Sequence, residues 1–172
     1  SLPARCRRSM FYHRFSTRVA AMTPVFGGSM MSRCDRLALV VAARHSARAC
    51  VTASVDSIYF RAPAKGNDTL LFNLSLNRNW GSSMEIGARV EAENSYTGEV
   101  RHILSAYFTF VALDEDGKPT EVPDVLPDTG EQERRHADAG IRREDRLAMR
   151  NQIADKNRTI PGPASPLQPD SQ

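Results

Sequence analysis

Acidic side chains are missing from the start of this chain. Residues 1 to 34 carry six arginines (Arg5, Arg7, Arg8, Arg14, Arg18 and Arg33) and no Asp or Glu, although the 172-residue chain as a whole is nearly balanced at a formal charge of +3. Cysteine is scarce: Cys6, Cys34 and Cys50 stand far apart. That is neither a zinc spacing nor the even count of a disulfide framework, and it points to reduced thiols in a reducing compartment. No apolar run approaches the roughly 20 residues a bilayer requires, so no transmembrane helix is expected. Aromatics make up 7% of the chain, with a single tryptophan, Trp80. Without an aromatic platform or a recognisable binding motif, the basic start is not read as a nucleic-acid arm.

What is present is ordinary for a globular domain, with 41% hydrophobic and 25% charged residues. The length suits one domain with a real core. Four parts follow from composition. A basic leader covers residues 1–20, Arg-rich and acid-free, and reads as a mitochondrial-type transit segment or as fragment sequence. A compact body covers 21–127, a charged helix 130–155, and a Pro- and Ser-rich tail 156–172 that is expected to be disordered. "PTEVPDVLPD" reads as an extended strap leaving the body. The charged helix is expected either to be solvated or to cross a neighbouring subunit.

Within the body the hydrophobic period changes once. Met30, Met31, Cys34, Leu37, Ala38, Val41 and Ala42 recur at helical spacing, and "LALVVAA" fills the remaining faces. That predicts a helix enclosed by other structure. Afterwards the period is two. Val51, Ala53 and Val55 alternate with polar residues, as do Leu70, Phe72, Leu74 and Leu76, and then Ile86, Ala88, Val90 and Ala92. "HILSAYFTFVAL" is apolar on both faces and is expected to be a central strand. Turn chemistry in "PAKGND", "NWGSS", "NSYTGE" and "DEDGKP" bounds these runs. The outline is one buried helix followed by four strands, an α+β domain with an antiparallel sheet around a helix.

One acid sits in that apolar helix. On a helical wheel Asp35 shares its arc with Met31, Ala38, Leu39 and Ala42. Burial disfavours a charged carboxylate and the positive end of a helix favours it. Those opposed effects suit a group that must be ionised yet reactive. Backbone N–H groups at the helix start, around Gly27 and Gly28, can stabilise an oxyanion, and glycine lets a carbonyl approach closely. His45 and His102 have no Ser or Cys at recognisable catalytic spacing and are read as structural.

Five stretches, "VFGGSMMSRCDRLA", "AARHSARACVTASVDSIYF", "LNRNWGSSMEIGARVEAE", "TGEVRHILSAYFTFVALDEDGKP" and "VPDVLPDTGEQERRHADA", together resemble the hot-dog-fold acyl-CoA thioesterases over about residues 23–150. The resemblance implies a long central helix wrapped by a curved antiparallel sheet, with two domains pairing to build active sites at their interface. It implies hydrolysis of fatty acyl-CoA to fatty acid and CoA, with neither a metal nor a redox cofactor. Asp35 would serve as general base or nucleophile. Arg78, Ser82, Ser83 and Arg101, with Arg61 and Lys65 as further candidates, would meet the CoA moiety. Met30, Met31 and Trp80 would line the acyl tunnel. The implied assembly is a homo-oligomer, either a dimer or a trimer of dimers, or a mixed dimer with another hot-dog domain. The location would be the mitochondrial matrix if the leader is a transit segment, and otherwise the cytoplasm. Where related sequences carry Asn-x-x-Gly before the Gly-Gly turn, this chain has Ala20 and Thr23, and Arg36 replaces the acid that often follows the Asp. A catalytically silent subunit that binds acyl-CoA or a partner is the competing expectation.

Overall fold

A computed structural model describes residues 14–20 and 27–159. The element order is β1 (Arg14–Ala20), α1 (Gly27–Ser46), β2 (Ala49–Phe60), β3 (Asp68–Trp80), β4 (Ser83–Asn94), β5 (Val100–Leu113) and α2 (Gly130–Thr159). The five strands form one antiparallel sheet in the order β1-β3-β4-β5-β2. Helix α1 lies on one face and α2 on the other. The expected helix-in-sheet outline holds, and β5 is an interior strand as its two-sided apolarity predicts.

Alternation in the inner strands works as expected. Leu70, Phe72, Leu74 and Leu76 of β3 are buried, as are Ile86, Ala88, Val90 and Ala92 of β4. They pack with Phe108 and Phe110 of β5 against Met30, Cys34, Ala38, Val41 and Ala42 of α1. Each fully buried Leu or Phe contributes roughly 1.5–3 kcal/mol relative to exposure.

Three expectations need correction. Residues 14–20, inside the stretch read as a leader, are an edge strand in register with β3, Arg14 opposite Ser75 and Ala20 opposite Thr69. The leader's remaining residues 1–13 lie outside the described residues, as does most of the tail from residue 160, while α2 runs on to Thr159.

The second correction concerns β2. Val51 and Val55, which strict alternation puts on one apolar face, are 47% and 41% exposed. The strand is the other edge of the sheet, with register shifts between Thr52 and Ser54 and between Val55 and Ser57. A bulge breaks the two-residue alternation, and an edge strand has fewer neighbours to cover it.

The strap does not leave the body. Val122 and Val125 are buried, Val122 N–H donates to the Gly81 carbonyl at 3.0 Å, and Val125 N–H donates to Asn79 Oδ1 at 2.9 Å. Buried His45 closes the same contact, its Nε2 2.7 Å from the Pro123 carbonyl oxygen. The structural role expected of His45 is a pin between the end of α1 and the strap. No described helix is long and apolar enough to cross a membrane.

Candidate functional site

Helix α1 is not enclosed all round. Met30, Cys34, Ala38, Val41 and Ala42 point into the core, while Met31, Leu39 and Val40 are each more than one-third exposed. Gly28, Met31, Asp35 and Leu39 fall at spacings of three and four on the open side, where side chains line up along a helix. Asp35 is half-buried among them. The Thr52 hydroxyl of β2 donates to its Oδ1 at 2.7 Å, a charge-assisted hydrogen bond that fixes the carboxylate's rotation. Nothing in the sequence pattern marked Thr52, because strict alternation put it on the face opposite Val51 and Val55. Just beneath, burial and then the Asp35 charge raise the Cys34 thiol to about 12, which leaves it protonated and inert at neutral pH.

The glycines occupy the other end of this open side. Gly27 begins α1 and is half-buried, with a hypothetical Cβ 3.0 Å from the Phe60 ring, whereas at Gly28 a Cβ would meet nothing within 4 Å. Beside Gly27 lies an apolar pocket of about 240 Å³ lined by Met30, Phe60, Ala62, Pro63, Ala64 and Ile103. Asp35 is two turns away, about 10–12 Å along the axis at roughly 1.5 Å per residue. One chain therefore holds the carboxylate and the glycine amides too far apart to act on one carbonyl.

The proposed CoA contacts do not form one cluster. Arg101 pairs with Asp68 at 2.7 Å, whose side chain is 1% exposed, and Asp68 also accepts from the Lys65 backbone N–H at 2.7 Å. Arg78 and Ser83 lie on the sheet face that carries α2. Arg78 sits 5.5 Å from the Trp80 ring centroid and Arg143 of α2 sits 4.6 Å from it. Ser83 Oγ donates to the Trp80 carbonyl and accepts from Arg143. Ser82 is half-buried and its carbonyl accepts from Ala112 N–H. Trp80 is thus a stacking residue beneath α2. Burial and then the Arg78 charge lower the nearby His136. Along β4, the partners of Arg78 and Arg101 are Glu85 and Ala92, about 23 Å apart at roughly 3.3 Å per residue. Arg61 and Lys65 are exposed and flank the apolar pocket in sequence.

His102 does have a serine beside it, Ser105 Oγ at 2.9 Å from Nε2. The same Nε2 lies 3.1 Å from the Leu104 carbonyl oxygen. A carbonyl only accepts, so the tautomer that uses this contact carries its proton on Nε2 and offers Ser105 no base.

The family model for the thioesterase superfamily matches residues 24–99. The uncharacterized acyl-CoA thioester hydrolase YkhA of Bacillus subtilis is 42% identical over 108 residues, 63% of this chain and 63% of its own length; the match thus spans less than two-thirds of that relative. Among solved structures, an acyl-CoA hydrolase from Staphylococcus aureus in complex with butyryl-CoA and CoA superposes with TM-score 0.77 at 29% identity, over 85% of this chain and 93% of its own. Variants of the Staphylococcus enzyme with a single threonine, aspartate or asparagine changed to alanine share the fold. An apo-hexameric acyl-CoA thioesterase gives TM-score 0.76 at 33% identity, over 79% of this chain and 92% of its own. The helix wrapped by its sheet, the Gly-Gly start and these relatives agree: the chain belongs to the hot-dog acyl-CoA thioesterases of the thioesterase superfamily.

Proposed function

We propose that this chain hydrolyses fatty acyl-CoA thioesters and that two copies build each site. Water adds to the thioester carbonyl carbon, the C–S bond breaks, and a carboxylic acid and the CoA thiol leave. Asp35 takes the proton from water, or attacks the carbonyl itself as nucleophile. The Gly27 and Gly28 amides at the positive start of α1 receive the oxyanion, a contribution of about 3 kcal/mol per donor.

The observation that carries the reading is the direction of Asp35. It is held by Thr52 on the open side of α1, in line with Gly28 but two turns from it. A second α1 running antiparallel against the first, about a two-fold axis near exposed Met31, brings Asp35 of one copy to the glycines of the other. A symmetric interface repeats that contact twice. The hexameric relative supports assembly of this kind, and the alanine variants of the Staphylococcus enzyme support a site that uses an aspartate and a threonine. The apolar pocket beside Gly27 takes the start of the acyl chain. Its about 240 Å³ falls below the roughly 300–1,000 Å³ of whole-ligand pockets, so it holds part of a ligand. Lys65, exposed next to Ala64 of the pocket wall, is the cation offered for a CoA phosphate, while Arg61 lines the cavity on the α2 side of the sheet.

The test is release of free thiol from acyl-CoAs of graded chain length, wild type beside Asp35→Asn. Wild type is expected to release CoA, and the variant to fall at least 100-fold while staying folded and associated. Wild type that is inert on every chain length would instead leave a silent or partner-dependent subunit, the outcome that Ala20 in place of the family's Asn would then explain.

A further inference from the structure

Helix α2 is longer than the sheet it rests on. It crosses the strands in order: Arg135 Nη1 donates to Ser75 on β3, Arg142 pairs with Glu85 on β4, and Arg146 reaches Thr109 on β5 and Asp56 on β2. From β3 to β2 is three strand spacings, about 14 Å, and Arg135 to Arg146 covers about 16 Å of helix. The two lengths agree, so α2 runs nearly perpendicular to the strands and reaches the β2 edge at Arg146. Residues 147–159 continue as helix for about 20 Å more, roughly four further strand spacings. Beyond β2 the described sheet has no strand.

The face that α2 turns toward the sheet continues along this overhang. Arg135, Ala139, Arg142, Arg146, Met149 and Ile153 follow one another at steps of four and three, one stripe of a helix. Over its own sheet the stripe is polar where it meets polar partners, with Ala139 fully buried. Past the edge it becomes apolar, with Met149 58% and Ile153 51% exposed. A solvated helix end has no use for an apolar stripe aimed in that direction, and a helical end of this length is marginal without tertiary support.

The outer face of β2 supplies the complement. Tyr59 lies opposite Ser105 and Val51 opposite Val111, and residues directly opposite share a face. Both are on the α2 side, one on either side of Asp56 along the strand, at 59% and 47% exposure. Nothing among the described residues covers them.

We propose that the C-terminal part of α2, residues 147–159, is an intersubunit clamp: it lies across the outer face of a second copy of this chain added at β2, with Met149 seated on that copy's β2 and Ile153 one strand further, over its β5. The occupant is a second copy because only a sheet continued through the open β2 edge lies along the helix's path. By symmetry the second copy's overhang returns over the first, so both apolar stripes and both exposed β2 faces are covered at once. This rests on the two-copy reading of the site and adds a contact on the face of the sheet away from Asp35.

The experiment is the self-association of the full chain by sedimentation velocity over a dilution series, wild type beside the double variant Met149→Glu/Ile153→Glu. Ala148→Glu/Asn151→Glu, on the opposite side of the same helix, is the charge-matched control. The clamp predicts that the first variant dissociates at a concentration at least 10-fold higher than wild type, with helix content unchanged by circular dichroism, and that the control follows wild type. Dissociation within twofold of wild type in the first variant, or equal weakening in the control, overturns the clamp and leaves the two-copy site intact. A wild type that is monomeric throughout overturns both. Asp35→Asn separates the readings further, because it is expected to abolish hydrolysis without altering association.

Discussion

Thr52 gives Asp35 its orientation, and that single contact has a measurable weight. A hydrogen bond to a charged group contributes about 1.5–3 kcal/mol, and a carboxylate free to rotate loses its alignment with the attacked carbon. Thr52→Val keeps the shape and removes the donor. We expect kcat to fall roughly 10- to 100-fold, at about 1.4 kcal/mol per tenfold, with KM little changed, and Thr52→Ser to restore most of it. Equal loss in both variants would make Thr52 a packing residue. At this scale the sequence was half legible. An acid in an apolar helix stands out, and so does a Gly-Gly start, because each violates the local pattern. Thr52 does not stand out: a threonine in a strand is ordinary, and the bulge after it brings Val55 onto its face without leaving a composition signal.

At the scale of elements the outer face of the sheet is not legible in the sequence, and α2 is the reason. A helix of alternating charge looks solvated, yet Arg135, Arg142, Arg143 and Arg146 all reach down to the sheet. Beneath them Glu85 is 0% and Asn77 2% exposed. Asn77 Nδ2 donates to Glu85 at 2.9 Å, and Arg142 pairs with the same carboxylate at 2.7 Å while stacking 3.8 Å from the Tyr107 ring centroid. Gly87 makes room for this network, since a Cβ there would stand 2.9 Å from Asn77 Nδ2. Alternation placed Glu85 on the outer face correctly but could not show that a helix covers that face. Removing one member of a buried pair strands the other, at a cost of about 3–5 kcal/mol. Glu85→Ala should therefore lower the urea midpoint strongly at fixed protein concentration, as should Arg142→Met alone. The paired change Glu85→Leu/Arg142→Met is expected to recover most of the loss. Additive single and double effects would mean that the two groups act independently.

For the whole molecule, the sequence foretold the helix, four of the five strands and the family, because long periodic segments and several ordered motifs carry that information. It could not supply the second copy, whose need appears only once Asp35 and the glycines are seen two turns apart on the open side of one helix. That separation makes a prediction that no single-chain site shares. Asp35→Asn removes the carboxylate, and Gly28→Leu, in open space on the folded chain, blocks approach to the amides without disturbing the core. Each variant alone should be inactive. In a random mixture half the pairs combine one of each, and every such pair has one site with both defects and one with neither, so the mixture should recover about a quarter of wild-type activity. Recovery of hydrolysis on mixing, measured after subunits have exchanged, would show that each site draws its carboxylate and its amides from different copies. A mixture as inert as its components would place the whole reaction within one chain, which the two-turn spacing along α1 does not permit without unwinding the helix.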